Sequence, residues 1–159
     1  MTPERMALIA LNAMGWDGQH PPSPVRLARV LGVAVFGRPG PSDWEGSSGR
    51  SGDRWWVCLN RTKPWRRRQW TLAHELGHIL IHGAQADGQW RRRPAEAAHD
   101  AERAADRFAA AFLMPASLMI VLWHKHQNVA QVAAYLGVSD MAVTLRLREL
   151  HLLAGPARS

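Results

Sequence analysis

Five residues, His74-Glu75-Leu76-Gly77-His78, carry the most legible chemistry in this chain. On a helix, positions i and i+4 share a face, so His74 and His78 can aim their ring nitrogens at one point. Two imidazoles converging in that way suit a tetrahedral divalent cation. Glu75 falls beside the same point, where a carboxylate can take a proton from water held at the metal. The surrounding run, TLAHELGHILIH, predicts a real helix. Thr71 is placed to be its N-cap, and Gly83 to be the residue just past its end. Leu72, Leu76, Ile79 and Leu80 form an apolar stripe at helical spacing. Gly77 leaves room beside the second histidine for a neighbouring backbone.

A hydrolytic site needs a third protein ligand. The pattern in which Gly and then His follow HExxH is absent, because the next residues are ILIHGA. His82 lies one turn beyond His78 on about the same face. It suits a substrate-binding or supporting role, and equally that of an ordinary helix-end histidine. Downstream, residues 96–115 read EAAHDAERAADRFAAAFLMP, helix-forming until Pro115. Glu102 and Asp106 lie one turn apart there, with His99 on the same side. Ala105, Phe108, Ala109 and Phe112 form the packing stripe. Glu102 can complete the ligand set, and Asp106 can accept the second ring N–H of a ligand histidine and fix its tautomer. The same spacing also describes two solvated acids beside Arg103 and Arg107.

The elements that must hold these groups follow from pattern. Thr2 to Met14 read as a helix with Pro3 near its first position. Pro24 to Leu31 form a second helix, ended by Gly32, and Val33 to Phe36 a short strand. A Gly/Ser/Pro loop follows, with room for a strand near Trp44. Arg54 to Asn60, RWWVCLN, is a strand rich in aromatic and β-branched residues. After the two metal-bearing helices, ASLMIVLWHKH is a short apolar helix. Trp55, Trp56, Trp65 and Trp70 cluster before the metal helix. They suit core cover or, where exposed, a substrate groove beside the metal. The Arg54–Asn60 strand could pair with an extended substrate if it lies at a sheet edge.

Near the C-terminus, VAQVAAYLGVSDMAVTLRLREL has helix-turn-helix spacing. Ala133, Gly137 and Val143 mark it, Val132, Leu136 and Val138 are core positions, and Asp140 opens the second helix. Thr144, Arg146 and Arg148 are expected to face outward. That suits DNA contact, and a small helical unit is also a good protein-docking surface.

The formal net charge is +7 and 47% of residues are hydrophobic, a globular balance. Lys63 and Lys125 are the only lysines, so arginine carries nearly all the positive charge. The bias toward arginine weakens the charge as evidence for nucleic acid. Arg66-Arg67-Arg68 and Arg91-Arg92-Arg93 read first as solvated loop charge and second as sites for an acidic partner. No apolar run approaches the roughly 20 residues of a membrane span. With one cysteine, Cys58, there is no internal disulfide. No signal-peptide pattern opens the chain. The expectation is a cytoplasmic protein with no membrane contact, and Cys58 a buried small hydrophobe.

RQWTLAHELGHILIH, ERAADRFAAAFLMP and VAAYLGVSDMAVTLRLRELHLL, in that order, resemble the ImmA/IrrE family of zinc metallopeptidases. SPVRLARVLGVAVF and WWVCLN resemble the family's earlier segments, so the likeness spans roughly residues 5–153. It implies an α+β, zincin-like peptidase domain over residues 1–124, with a small sheet packed on helices. A helix-turn-helix-like segment over residues 125–159 follows. It implies that His74, His78 and Glu102 are metal ligands and Glu75 the catalytic base, a gluzincin-like set. Asp106 stands where the family usually has Asn, Trp70 where Phe is common, and His151 where Gly is usual.

The implied cofactor is Zn2+, with Mn2+ or Fe2+ able to occupy such a site. The implied substrate is a helix-turn-helix transcriptional repressor whose cleavage releases stress-response or mobile-element genes. The alternatives are a DNA- or protein-binding regulator with a non-catalytic metal site, and an inactive member that acts by docking, for example in a toxin–antitoxin pair. Oxyanion donors are expected among His82, His99 and Tyr135, which the sequence does not rank. Some longer relatives add a C-terminal sensory domain; with Ser159 last, any activating signal is expected to arrive another way.

Overall fold

A computed structural model of the chain describes residues 1–83 and 95–153. Its elements are α1 (Pro3–Ala13), α2 (Pro24–Val30), β1 (Ala34–Arg38), β2 (Gly46–Ser51), β3 (Arg54–Asn60) and α3 (Trp65–His82). Then come α4 (Ala95–Leu113), α5 (Ala116–His126), α6 (Val129–Leu136) and α7 (Asp140–Glu149). This is the expected α+β layout, a three-stranded sheet beside helices. The Arg91–Arg93 run lies outside the described residues. No single helix among the described residues is long and apolar enough to cross a membrane.

The sheet order is β1-β3-β2, with β3 parallel to β1 and antiparallel to β2. β3 keeps its predicted bounds. It does not lie at an edge: strands flank it on both sides, so the expected pairing of Arg54–Asn60 with a substrate is corrected. β2, GSSGRS, falls in the stretch read mainly as loop. It has little intrinsic strand preference. Its register on β3 (Ser48 opposite Val57) and its small residues explain it. A Cβ at Gly49 would lie 2.5 Å from the Trp56 ring, and one at Gly46 2.7 Å from Thr71 of α3. Glycine lets ring and helix close over the strand.

Asn60 ends β3 fully buried. Its amide donates to the carbonyls of Gly40, Pro41 and Trp44, and its Oδ1 accepts from Thr62. One buried side chain thus ties the partly exposed loop before β2 to the end of β3.

α3 starts two turns earlier than predicted, at Trp65, after Pro64. Thr71 is not its N-cap. It is buried mid-helix, where its hydroxyl donates to the Arg67 carbonyl. Arg66–Trp70 are helix formers whose run of charge imitates a loop. At the other end the helix stops at His82 and Gly83 follows it, as expected, with right-handed geometry (φ −60°). α3 and α4 pack closely through the Phe108 and Phe112 rings, both fully buried and 5.9 Å apart. A Cβ on Gly77 would come within 2.9 Å of Phe108. Gly77 therefore makes room for an α4 side chain, not for a neighbouring backbone.

α6 and α7 bury the positions read as core. Val132, Ala133, Leu136, Val138 and Val143 are buried and join the main hydrophobic cluster. Gly137 turns the chain at φ +70°, and Ser139 caps α7. The Trp65 ring lies over Gly137, where any side chain would collide with it. Arg146 departs from expectation. It is buried, 9% exposed, and its Nε donates to the Met114 carbonyl at 3.1 Å. Met114 follows the last residue of α4, where carbonyls lack helical partners and positive charge is favoured. Thr144 is half-buried and donates to Asp140, while Arg148 is exposed as expected. His151, where the resembled family has Gly, takes a left-handed φ of +56°. Cys58 is buried.

Candidate metal centre

α3 and α4 bring three donors together. The Nε2 atoms of His74 and His78 are 3.0 Å apart. Glu102 of α4 places Oε2 3.1 Å from His74 Nε2 and Oε1 3.3 Å from His78 Nε2. All the donor atoms lie within 4.8 Å of one another. Donors about 2.1 Å from a tetrahedral metal are separated by roughly 3.4 Å, so the observed spacings need only small shifts to hold one. Two nitrogens and a carboxylate oxygen suit zinc or a neighbouring first-row cation. Among the described residues this is the only such group of three or more His, Cys, Asp or Glu.

The surroundings aim the rings. Asp106 Oδ1 lies 2.8 Å from His74 Nδ1. A proton held between them leaves the Nε2 lone pair directed at the donor cluster. The bond to His74 chiefly, with a lesser contribution from Trp70 one helical turn before it, holds the Asp106 carboxyl below its usual range. Burial alone would lower the His74 pKa. The Asp106 hydrogen bond and the nearby carboxylates of Asp106, Glu75 and Glu102 outweigh it and leave the ring more basic than usual. His78, 5% exposed, is pushed down to about 4 by burial first and by the charge on His74 second. One ring therefore holds a proton readily and the other resists it, as expected of two imidazoles too close to be charged together.

Glu75 is buried, 8% exposed, on the side of α3 facing the sheet. Ser48 of β2 donates its hydroxyl to Glu75 Oε2 at 2.5 Å. Ser48 was not foreseen, because the register that delivers it belongs to a strand without apolar alternation. Of the other candidates, His82 holds its ring 5.7 Å from that of His78, tilted at 41°. His99 is exposed on α4, and Tyr135 turns its hydroxyl toward the Gln19 carbonyl at 3.5 Å. None of these three joins the donor group.

Two histidines of α3 and a glutamate of α4, with a buried glutamate beside them and a small sheet alongside, form a group that could hold a metal ion. Residues 28–148 match the sequence profile of the M78 peptidases, described as the IrrE N-terminal-like domain. The chain belongs to that peptidase family. Among solved structures it is similar to a Mycobacterium tuberculosis transcriptional regulator, with a TM-score of 0.64 at 17% identity. That likeness covers 90% of this chain and 46% of the regulator, so the chain spans less than half the length of that protein. At this identity it establishes a shared fold. No curated protein matches the chain.

Proposed function

We propose that the chain is a zinc-dependent endopeptidase. The reading rests on one observation: His74, His78 and Glu102 converge on a point beside a buried Glu75 whose carboxylate Ser48 holds in place. A cation held by the three ligands would polarise a scissile carbonyl and make water nucleophilic near neutral pH. Glu75 accepts the proton that water gives up and returns it to the leaving amine. Ser48 limits the rotation of that carboxylate, and Asp106 sets the His74 tautomer. The peptidase unit is assigned to residues 1–124, with α6 and α7 packed into its core. The buried Cys58 suits a reducing, cytoplasmic setting.

For substrate we favour a helix-turn-helix transcriptional repressor, on the resemblance to ImmA/IrrE peptidases. The structural neighbour is itself a transcriptional regulator by name. Cleavage would relieve repression of stress-response or mobile-element genes. The DNA-reading alternative loses its central residue, since Arg146 is spent on the end of α4. The test is to load the protein with zinc and compare it with Glu75→Gln on a repressor encoded nearby. The variant should bind metal as well as the parent and cleave at least about 10²-fold more slowly, the lower end of what a general base contributes. Equal cleavage by the two proteins rejects Glu75 as the base.

A further inference from the structure

Next to the metal centre lies a cleft of about 760 Å³ between the start of α3, the second half of α4, and α7. Asp106 and Trp70 are among its lining residues, so the cleft reaches the carboxylate that supports His74. Its far wall is α7, where Met141 (68% exposed) and Leu145 (50% exposed) stand one turn apart. Exposed apolar side chains paired in a concavity of this volume mark a binding site rather than ordinary surface.

The charges in the cleft differ in what they have left to offer. Asp106 is engaged by His74, and Glu149 by Arg146. Asp140 sits in the first turn of α7, where helix N–H groups favour its charge. Arg67 and Arg107 pair with Glu45 and Glu4. Arg66 is different. Among the described residues its guanidinium makes one long contact, 3.4 Å to the Val138 carbonyl, and no ion pair. The spare capacity of the cleft is therefore apolar contact plus a half-buried cation.

We propose that this cleft recognises the protein substrate. It takes a segment in which a large apolar side chain enters against Met141 and Leu145, while a carboxylate one or two residues away pairs with Arg66. α7 then serves as a specificity wall rather than a DNA-reading helix. From Arg66 to His74 is eight residues of helix, about 12 Å. An extended peptide covers that in three or four residues, so the scissile bond lies three or four residues from the recognised pair. Calling the occupant a substrate rests on the peptidase reading, whereas its binding does not.

The test uses the full chain in EDTA, labelled with 13C at methionine methyls and 15N at tryptophan indoles. The probes are fluorescein-labelled peptides containing Gly-Ser-Leu-Glu-Asp-Gly-Ser, a version with Lys-Lys for Glu-Asp, and one with Ser for Leu. The acidic Leu peptide should shift the Met141 methyl and Trp70 indole signals and bind at least tenfold more tightly than either control. Arg66→Glu should reverse the charge preference. Leu145→Asp should lose binding while the remaining signals stay in place. No shift at about 2 mM peptide, affinity well short of the stabilisation expected of a specific site, overturns the proposal. So does binding that leaves Met141 and Trp70 unmoved, or a mixed-sequence DNA duplex shifting them in the peptide's place. Because the assay contains no metal and no turnover, failure of the Glu75→Gln comparison leaves its result intact.

Discussion

Replacing Arg146 with methionine separates two views of the C-terminal helices. Methionine keeps most of the apolar stem and removes the guanidinium. The bond from Nε to the Met114 carbonyl is buried and charge-assisted, a class that contributes about 1.5–3 kcal/mol. Its placement at the end of α4 belongs to the same interaction and is not counted twice. The second contact, to Glu149, is half exposed and adds at most about 0.5 kcal/mol. The expected loss is therefore about 2–3 kcal/mol. With a urea slope near 2 kcal/mol per molar, the unfolding midpoint falls by about 1–1.5 M. Urea titration of the metal-free protein, followed by circular dichroism, reads this directly. Arg146→Lys should recover part of the loss, since an ammonium can still reach a carbonyl. A midpoint within about 0.25 M of the parent, together with a drop in DNA affinity, would refute the reasoning and return Arg146 to a nucleic-acid role.

Gly77→Ala forces Phe108 to move. It should cost about 1–3 kcal/mol in thermal or urea unfolding and weaken metal binding, because the next residue is His78. Asp106→Ala frees the His74 ring and should lower metal affinity about 10–100-fold in chelator competition. Asp106→Asn should be milder, since an amide oxygen still accepts the Nδ1 proton. Metal binding should strengthen with pH. His74 holds its proton above the usual value of about 6.5, so a cation must displace it, and apparent affinity should climb about tenfold per pH unit until the raised pKa is passed. In the metal-free protein the stabilisation from charged His74 is complete below its unfolded pKa and fades as pH rises through the folded one. The depressed His78 acts in the opposite sense, costing stability as pH falls from about 6.5 toward 4. Chelator competition and unfolding midpoints measured from pH 5 to 9 check both signs.

The donors were legible because helical periodicity alone turns His74 and His78 to one side, and because Glu102 lies on a second strongly helical segment. β3 and α5 matched their predicted bounds, since aromatic and apolar density decides both. The failures share a cause. β2, Ser48 and Arg146 are fixed by partners distant in sequence: a register on β3, a carboxylate on α3, and a carbonyl at the end of α4. The start of α3 was missed because Arg66–Arg68 look solvated, yet Arg66 reaches Val138 and Arg67 reaches Glu45. Long-range hydrogen bonds leave no local signature, and here one of them, from Ser48, holds the Glu75 carboxylate.

α3 is one unbroken rod of 18 residues, about 27 Å long. Its first turn meets the α6–α7 corner through Trp65 on Gly137 and through Arg66 on Val138, and both imidazoles ride further along the same rod. A load applied at that corner acts on a stiff lever, and a tilt of a few degrees there changes the gap between the histidines and Glu102. The seat of the α6–α7 corner and the position of the two imidazoles are thus set by one continuous helix.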